Sequence, residues 1–334
     1  MRYRALGSTG LDVSVLGFGA SSLGSVFREI DPVDALRTVH LAIERGVNFI
    51  DVAPFYGLTK AETVLGQALK TVERDKYLLA TKIGRYGHHI SDFDFSAKRT
   101  FASIDQSLKR LGVDHVDLLQ IHDLEFGDLD QIINETIPAL QQIKQSGKTR
   151  FIGITGLPVS ALKYVAERVQ VDTVLSYCHY TLNDTSFMDL VPLLKQRKFG
   201  ILNAAPLAMG LLSSNPLPSW HPAPPALRER AAHAAALCKA RGSSIEKLAV
   251  QFAVRTPDIA STVVGTAESA LMDQNIGWVD EPIDLTLLHE VQAIFEPVRN
   301  VSWISGRPEN NTDVNTIGAS IMPLGEEPTS ASLA

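Results

Sequence analysis

Eight short runs of apolar and β-branched residues, separated by segments with helical periodicity, constrain the fold of this chain more than any other feature. The runs span 14–20, 48–53, 77–83, 116–122, 150–155, 173–180, 200–206 and 260–266. Continuous apolar runs of this length are typical of strands that are buried on both faces. Between them, segments such as 31–45 and 128–145 repeat apolar residues every three or four positions, as amphipathic helices do. Strands and helices in alternation predict an α/β fold, a closed (β/α)8 TIM barrel.

The segments outside this repeat predict additions to the barrel. Residues 2–6 and 11–13 flank a turn with two glycines, which predicts an N-terminal β-hairpin that closes the bottom of the barrel. Residues 213–225 are rich in proline and serine and predict a long βα loop over the barrel mouth. A single barrel domain fits residues 1–307. Residues 308–334 mix polar, Gly and Pro residues without a period, and we expect them to form a flexible tail.

The composition argues against several classes of function. A formal charge of −6 and a pI near 5.9 give no basic surface of the kind that binds nucleic acid. The two cysteines, Cys178 and Cys238, lie far apart without a metal-binding pattern, so we predict a reducing compartment and no metal site. The chain starts without an apolar leader and has no apolar run of membrane-spanning length. We expect a cytoplasmic monomer or homodimer with no membrane partner.

Four polar residues interrupt or follow the apolar runs near their C-terminal ends, where barrel enzymes have their active sites. Asp51 ends the second run, Tyr56 lies just after it, Lys82 is in the third, and His122 closes the fourth. Burying a lysine without a partner is strongly unfavourable, so Lys82 indicates a paired, functional position. Taken singly, His122 fits a hydrogen-bonded core histidine and Tyr56 a packing residue. Their joint placement on adjacent strands favours a catalytic site.

Together these residue types suit proton transfer between a carbonyl and an alcohol. A tyrosine has a pKa of about 10 in water, and a nearby ammonium such as that of Lys82 favours its phenolate form. Asp51 can accept a hydrogen bond from Lys82, while His122 can donate one to the substrate oxygen. We therefore predict that Tyr56 is the general acid or base.

The motifs around these residues resemble those of the aldo-keto reductase family. They are DVAPFYG at 51–57, ATKI at 80–83 and LQIH at 119–122, and the likeness runs from residue 4 to about residue 297. The resemblance implies a catalytic tetrad of Asp51, Tyr56, Lys82 and His122. It also implies a nicotinamide dinucleotide that is bound without a Rossmann domain.

Longer segments are similar to the aldose 1-dehydrogenases of this family, above all those acting on L-galactose. These segments are 17–27, 128–140, 147–158, 175–180 and 206–212. The likeness implies NAD-dependent oxidation of an aldose, such as L-galactose or L-fucose, at C1 to the aldonolactone. Two alternatives stay open: a broad-specificity aldehyde, ketone or pyridoxal oxidoreductase, and a regulatory subunit that binds the cofactor.

The resemblance also implies which residues contact the two ligands. The expected cofactor contacts are Gly19, Ala20, Ser21, Asp51, Thr155, Tyr177, Ala204, Pro206, Leu207, Met209, Gly265, Ala267, Gln274 and Asn275. The expected contacts to a small-molecule sugar are Tyr56, His122, Trp220 and Trp303. The tryptophans are included because aromatic faces pack against sugar rings, although they equally suit the anchoring of their loops.

Some positions depart from the family pattern around the nicotinamide. Where many relatives have Ser-Asn after the fifth strand, this chain has Thr155-Gly156. Threonine still donates a hydroxyl, but glycine cannot replace an amide that holds the carboxamide. The usual glutamine of the sixth strand is Tyr177, and the usual stacking aromatic of the seventh is Ala204. We expect Tyr177 to take over part of the packing against the nicotinamide.

The segment after the eighth strand bears on the choice of cofactor. Relatives that prefer NADP usually carry basic residues where this chain has Ala267 and Asp273. A 2′-phosphate there would meet an acid and lack its cationic partners, which is unfavourable. We predict NAD over NADP.

Overall fold

The computed structural model describes residues 1–26 and 28–312, and within them eight parallel strands form a closed barrel. The strands are β3 (Leu16–Gly19), β4 (Phe49–Asp51), β5 (Leu78–Ile83), β6 (Val116–Ile121), β7 (Thr149–Gly156), β8 (Thr173–Tyr177), β9 (Gly200–Ala204) and β10 (Ser261–Gly265). They neighbour one another in chain order, and β10 pairs with β3 to close the ring. The predicted (β/α)8 TIM barrel is confirmed.

The helices pack around the outside of the strands. They are α1 (Pro32–Glu44), α2 (Lys60–Leu69), α3 (Ala97–Leu111), α4 (Leu129–Gln131), α5 (Ile137–Gln145), α6 (Val159–Arg168), α7 (Val191–Gln196), α8 (Pro225–Ala240), α9 (Ile245–Ala253), α10 (Ser269–Asp280) and α11 (Leu285–Phe295). Local signals set their ends: Asp31 accepts a hydrogen bond from the Val33 amide, and Pro32 supplies the first turn of α1. Among the described residues, the structure has no helix with the length and apolar character needed to cross a membrane.

The N-terminal hairpin is confirmed as two short antiparallel strands, β1 (Tyr3–Ala5) and β2 (Asp12–Ser14). Leu6, Leu11 and Val13 of this region are buried in the same apolar cluster as the barrel interior. That cluster includes Phe49 of β4 and Ala80 of β5. The hairpin therefore closes the N-terminal end of the barrel.

Side-chain alternation along the strands separates an apolar interior from a polar mouth. Residues two apart on a strand face the same way. The interior cluster contains Phe49, Ala80, Leu118, Leu175, Leu202 and Val263. Two positions further along each strand stand Asp51, Lys82, Gln120, Tyr177, Ala204 and Gly265. Each of these six strands thus contributes first to the packed core and then to the mouth.

Two segments beyond the strands complete the mouth. Between β9 and α8, a 3-10 turn at Ala208–Gly210 is followed by residues 213–224, which have no regular helix or strand, as predicted for a long loop. Pro308–Asn310 form a 3-10 turn, and the side-chain amide of Asn310 donates to the carbonyls of Glu125 and Gly127. The described structure thus extends to residue 312, beyond the predicted end of the barrel domain at 307. The rest of the predicted flexible tail, residues 313–334, lies outside the described part of the chain.

Candidate active site

Lys82 and Asp51 form a buried ion pair at the ends of neighbouring strands. Their side chains are 3% and 6% exposed, and the ammonium of Lys82 contacts the Asp51 carboxylate directly. Lys82 Nζ also donates to the carbonyl oxygen of Val52 at 3.0 Å, and Gln120 Nε2 donates to Asp51 Oδ2 at 2.9 Å. The predicted hydrogen bond from Lys82 to Asp51 is present in the structure. Gln120 was missed, although it interrupts an apolar strand just as Lys82 does.

The backbone around Tyr56 is held by a close approach between two loops. Gly57 has a left-handed φ of 60°, and a Cβ there would lie 2.1 Å from the carbonyl oxygen of Gly24. A Cβ on Gly24 would in turn lie 2.6 Å from the Tyr56 carbonyl oxygen. The amide of Ala61 donates to that Tyr56 oxygen at 3.1 Å. Both glycines are therefore required by the fit that fixes Tyr56.

The Tyr56 hydroxyl lies 3.5 Å from Lys82 Nζ, so these predicted partners do meet. Burial raises the pKa of Tyr56, the Lys82 ammonium lowers it, and Asp51 and Asp123 raise it. The pKa of Tyr56 therefore lies above its usual value. The lowering effect of Lys82 was predicted from the sequence, but the larger effect of burial was not. Burial lowers the pKa of Lys82 but Asp51 and Tyr56 raise it more, so the lysine stays charged. The phenol is the resting form of Tyr56.

His122 stands beside Tyr56 with its ring roughly perpendicular. The ring centroids are 5.4 Å apart, and the His122 backbone amide donates to the Ile83 carbonyl at 2.8 Å. Burial lowers the pKa of His122 to about 3; the Asp123 carboxylate opposes this shift, and the Lys82 and Arg85 charges add to it. Its Nδ1 atom has no hydrogen-bond partner within the described structure. His122 is therefore a neutral donor or acceptor at physiological pH.

Asp123 and Arg85 form a second ion pair next to His122. Arg85 Nη1 lies 2.6 Å from Asp123 Oδ2, and the guanidinium stacks 3.5 Å from the centre of the Phe55 ring. Asp123 Oδ2 is 3.7 Å from His122 Nε2, and Asp123 has a left-handed φ of 50°. Neither Asp123 nor Arg85 was identified as a site residue from the sequence. A charged residue that follows a strand by two positions, as Arg85 does, is the signal that was available.

The expected cofactor residues form an arc on the rim of the barrel. Gly19 pairs with Gly265 across β3 and β10, and Ala204 pairs with Tyr177 across β9 and β8. Thr155 lies one strand further along on β7. The remaining ones lie in the segments that follow these strands: Ala20, Ser21, Pro206, Leu207, Met209, Ala267, Gln274 and Asn275. Of these, Gln274 is exposed and Asn275 is buried.

The rim fits a dinucleotide at its glycines. Gly265 is exposed, and a Cβ there would lie 3.1 Å from Ser21 Oγ and 3.2 Å from the Gly19 carbonyl oxygen. A side chain at 265 would crowd Ser21 and Gly19, and its absence leaves the exposed backbone open to a ligand. Helix α10 begins four residues later, and helix N-termini favour anionic groups. These residues would hold the phosphate-bearing part of a nicotinamide dinucleotide.

The two predicted tryptophans differ in exposure. Trp220 is 45% exposed and stacks on His221, whose centroid lies 6.0 Å away. Trp303 is only 4% exposed and meets the edge of the same His221 ring at 5.2 Å. His221 itself is bonded to the Ala208 carbonyl at 2.9 Å. This packing favours the anchoring role for Trp303, while Trp220 remains available to a ligand.

Comparisons with known proteins agree with this geometry. The model of the aldo/keto reductase family matches residues 15–296. The chain is 50% identical to L-galactose dehydrogenase of Arabidopsis thaliana, over 92% of this chain and 98% of that protein. It is 30% identical to D-threo-aldose 1-dehydrogenase of a Pseudomonas species, over 81% of this chain and 91% of that protein.

Solved structures give the same result. An aldo-keto reductase of Bacillus halodurans in its holo form superposes with a TM-score of 0.73 at 26% identity, covering 93% of this chain and 99% of that one. The four predicted tetrad residues and the glycine-lined rim occupy one mouth of one barrel. This chain belongs to the aldo/keto reductase family of oxidoreductases.

Proposed function

We propose that this protein oxidises an aldose at C1 to the aldonolactone, with NAD as the hydride acceptor and Tyr56 as the proton-transfer residue. The observation that carries the proposal is the Lys82 ammonium, which is paired with Asp51 and lies 3.5 Å from the Tyr56 hydroxyl. The 50% identity to a dehydrogenase of L-galactose supports the substrate class, and L-galactose is the first candidate, with L-fucose next. An NAD-linked aldose oxidation needs only a hydride acceptor and a proton acceptor.

The proton path follows from the geometry around Tyr56. His122, neutral and adjacent, hydrogen-bonds the C1 oxygen and orients it toward Tyr56. The Tyr56 phenolate accepts the proton of the C1 hydroxyl as the C1–H bond breaks and the C1=O bond forms. A bound nicotinamide supplies the acceptor for the departing hydride. Lys82 lowers the pKa of Tyr56 and thereby increases the phenolate fraction available to this step.

Three acids around the start of α10 support NAD over NADP. Asp34 accepts hydrogen bonds from the amide and the hydroxyl of Ser269, at 3.1 and 2.6 Å, and so takes up one of the free amides at the start of the helix. Glu268 and Asp273 form ion pairs with Arg28 and Arg45. The nearby guanidinium groups are therefore already neutralised by protein carboxylates. A 2′-phosphate would have to displace these partners.

The reverse reaction is a second candidate, because the raised pKa of Tyr56 favours the protonated form that carbonyl reduction needs. A broad-specificity reductase would use the same four residues. Simple aromatic aldehydes with NADH distinguish the two: a kcat/KM for aldehyde reduction above that for aldose oxidation favours the reductase.

The main test is a screen for NADH formation with L-galactose, L-fucose, D-arabinose, other aldoses and pyridoxal. We expect an aldose to give the highest kcat/KM, and Tyr56→Phe to retain the fold and cofactor binding while losing most turnover. Turnover of Tyr56→Phe close to that of the wild type would reject the mechanism. If pyridoxal alone is oxidised, the substrate assignment fails while the site assignment stands.

The cofactor preference has its own test. We expect the wild-type kcat/KM to be higher with NAD than with NADP. Asp273→Asn should lower the ratio of kcat/KM for NAD to that for NADP, because it frees Arg45 for the 2′-phosphate. The matched control is Asp280→Asn on the same helix. Asp280 is 59% exposed and forms an ion pair with the amino group of Met1. A wild-type preference for NADP would overturn the argument.

A further inference from the structure

Glu125 is a buried carboxyl group at the barrel mouth that the proton chemistry does not use. It lies in the short turn after β6 and has no exposed surface. Its Oε1 atom accepts hydrogen bonds from the Leu157 amide at 3.3 Å, the Tyr177 hydroxyl at 3.3 Å and the Ser305 hydroxyl at 2.8 Å. These three donors come from the ends of two strands and from the C-terminal segment. One side-chain atom thus joins three parts of the molecule.

The carboxyl of Glu125 fills space that Gly156 leaves open. A Cβ on Gly156 would lie 2.9 Å from Glu125 Oε2, and that oxygen is buried without a hydrogen-bond partner among the described residues. In the family pattern, an amide side chain stands where this chain has Gly156, and a glutamine stands where it has Tyr177. Here Gly156 admits the carboxyl, and Tyr177 donates to it. The two departures from the family pattern are parts of one arrangement.

The backbone of Glu125 also binds the C-terminal segment closely. Its carbonyl oxygen accepts from the Arg307 amide at 3.0 Å and from the Asn310 side chain at 2.8 Å. A Cβ on Gly306 would lie 2.4 Å from the same oxygen, so the segment fits only with glycine there. The segment 303–310 therefore depends on Glu125 through both its carbonyl and its carboxyl groups.

The surrounding charges disfavour an ionised Glu125. Burial raises its pKa to about 8 and the Asp123 carboxylate acts in the same direction, which together outweigh the lowering effect of the hydrogen bonds from Ser305 and Leu157. Arg85, which follows β5, is paired with Asp123, and the guanidinium of Arg307 lies 3.5 Å from Glu309. Burial also raises the pKa of Tyr177 well above its usual value, so Tyr177 stays protonated beside it. Neutral Glu125 keeps its three donors without adding a second buried carboxylate.

We propose that Glu125 is a positioning residue of the cofactor site, which as a neutral acid fixes the Tyr177 hydroxyl on the nicotinamide rim and holds segment 303–310 closed beside it. Ionisation places a charge next to Asp123 and loosens both Tyr177 and the segment. The proposal rests on the dinucleotide site of the proposed function but not on the identity of the sugar or on the proton step. Cofactor binding, without turnover, is therefore the quantity to measure.

The test is the dissociation constant of NADH, measured by fluorescence between pH 6.5 and 9.5. In the wild type we expect the Kd to rise roughly tenfold by pH 9, because only about one molecule in ten then keeps the neutral acid. Glu125→Gln stays neutral at every pH and keeps an acceptor for the three donors, so its Kd should match the wild type at pH 6.5 and stay flat. Glu290→Gln, on α11 and paired with Arg241 at the surface, is the matched control and should follow the wild type.

Hydrogen exchange of segment 303–310 gives a second readout that turnover does not enter. We expect NADH to slow exchange there in the wild type, and Tyr177→Phe, which removes only the hydroxyl, to weaken this response. Equal pH dependence of the Kd in the wild type and Glu125→Gln would overturn the proposal, as would an unchanged exchange response in Tyr177→Phe. An enzyme that shows both expected effects but oxidises no aldose would instead reject the proposed substrate and leave this role of Glu125 intact.

Discussion

Replacing Lys82 with methionine tests the central ion pair of the site. The Lys82 ammonium has three acceptors within reach: the Asp51 carboxylate, the Val52 carbonyl at 3.0 Å and the Tyr56 hydroxyl at 3.5 Å. Methionine fills a similar volume but carries no charge, so the substitution removes the contacts of the ammonium group and largely keeps the packing of the side chain. Asp51, only 4% exposed, then keeps a charge without its cation.

The size of the effect follows from the partners that remain. Removing one member of a buried ion pair typically costs about 3–5 kcal/mol of stability, because the other charge is left uncompensated. Gln120 still donates to Asp51 Oδ2 at 2.9 Å, so we expect a loss of about 3 kcal/mol in Lys82→Met. Adding Asp51→Asn removes the stranded charge, and the double variant should recover most of this loss.

Urea unfolding of the wild type, both single variants and the double variant measures these changes as a double-mutant cycle. Lys82→Met should also shift the ascending limb of the kcat profile to higher pH, because Lys82 lowers the pKa of Tyr56. A double variant no more stable than Lys82→Met would refute the account of the buried charge. A pH profile that stays in place would refute the role of Lys82 in tuning Tyr56.

Three further predictions follow from the structure. Gly57→Ala should lower stability by more than about 1 kcal/mol and reduce kcat, because its Cβ meets the Gly24 carbonyl and displaces Tyr56; urea unfolding and turnover check this. Between about pH 4.5 and 6.5, Glu125 and His122 change the unfolding free energy in opposite directions as the pH rises. Glu125 lowers it, because the folded protein keeps a proton that the unfolded chain loses. His122 raises it, because the unfolded chain binds a proton that the folded protein lacks. From about pH 6.5 to 8 the Glu125 effect acts alone and should lower the unfolding free energy by about 2 kcal/mol, a loss that Glu125→Gln should abolish in urea titrations. Cys178, whose pKa burial raises, should react with iodoacetamide only after unfolding, as peptide mass mapping would show.

The barrel and its tetrad were predictable from sequence for one physical reason. Strands buried on both faces appear in the sequence as continuous apolar runs. A polar residue within such a run, such as Lys82, is unfavourable for folding and therefore indicates a functional position. The same reasoning places His122 and Asp51 at strand ends. It fixes their common location because all strands of a parallel barrel end on one face.

The pKa of Tyr56 and the role of Glu125 were not predictable in this way. Sequence shows that Lys82 is near Tyr56, but only the structure shows how much solvent the phenol loses, and that loss decides the direction of the shift. Glu125 is a single charged residue in a turn, and the residues around it in the sequence do not indicate that it is buried. It is buried because Ser305 and its neighbours, 180 residues further along the chain, cover it. Long-range contacts of this kind leave no local pattern.

The dependence of the barrel mouth on segment 303–310 has a consequence for synthesis on the ribosome. A nascent chain that has reached residue 265 already contains all eight barrel strands, yet Glu125 still lacks the donor from Ser305 and the cover from Gly306. At that stage the carboxyl lacks part of its cover, and the water that reaches it favours the ionised form. Packing of segment 303–310 onto Glu125 then favours the uptake of a proton. The last described turn of the polypeptide therefore finishes a cofactor rim whose strands were made much earlier.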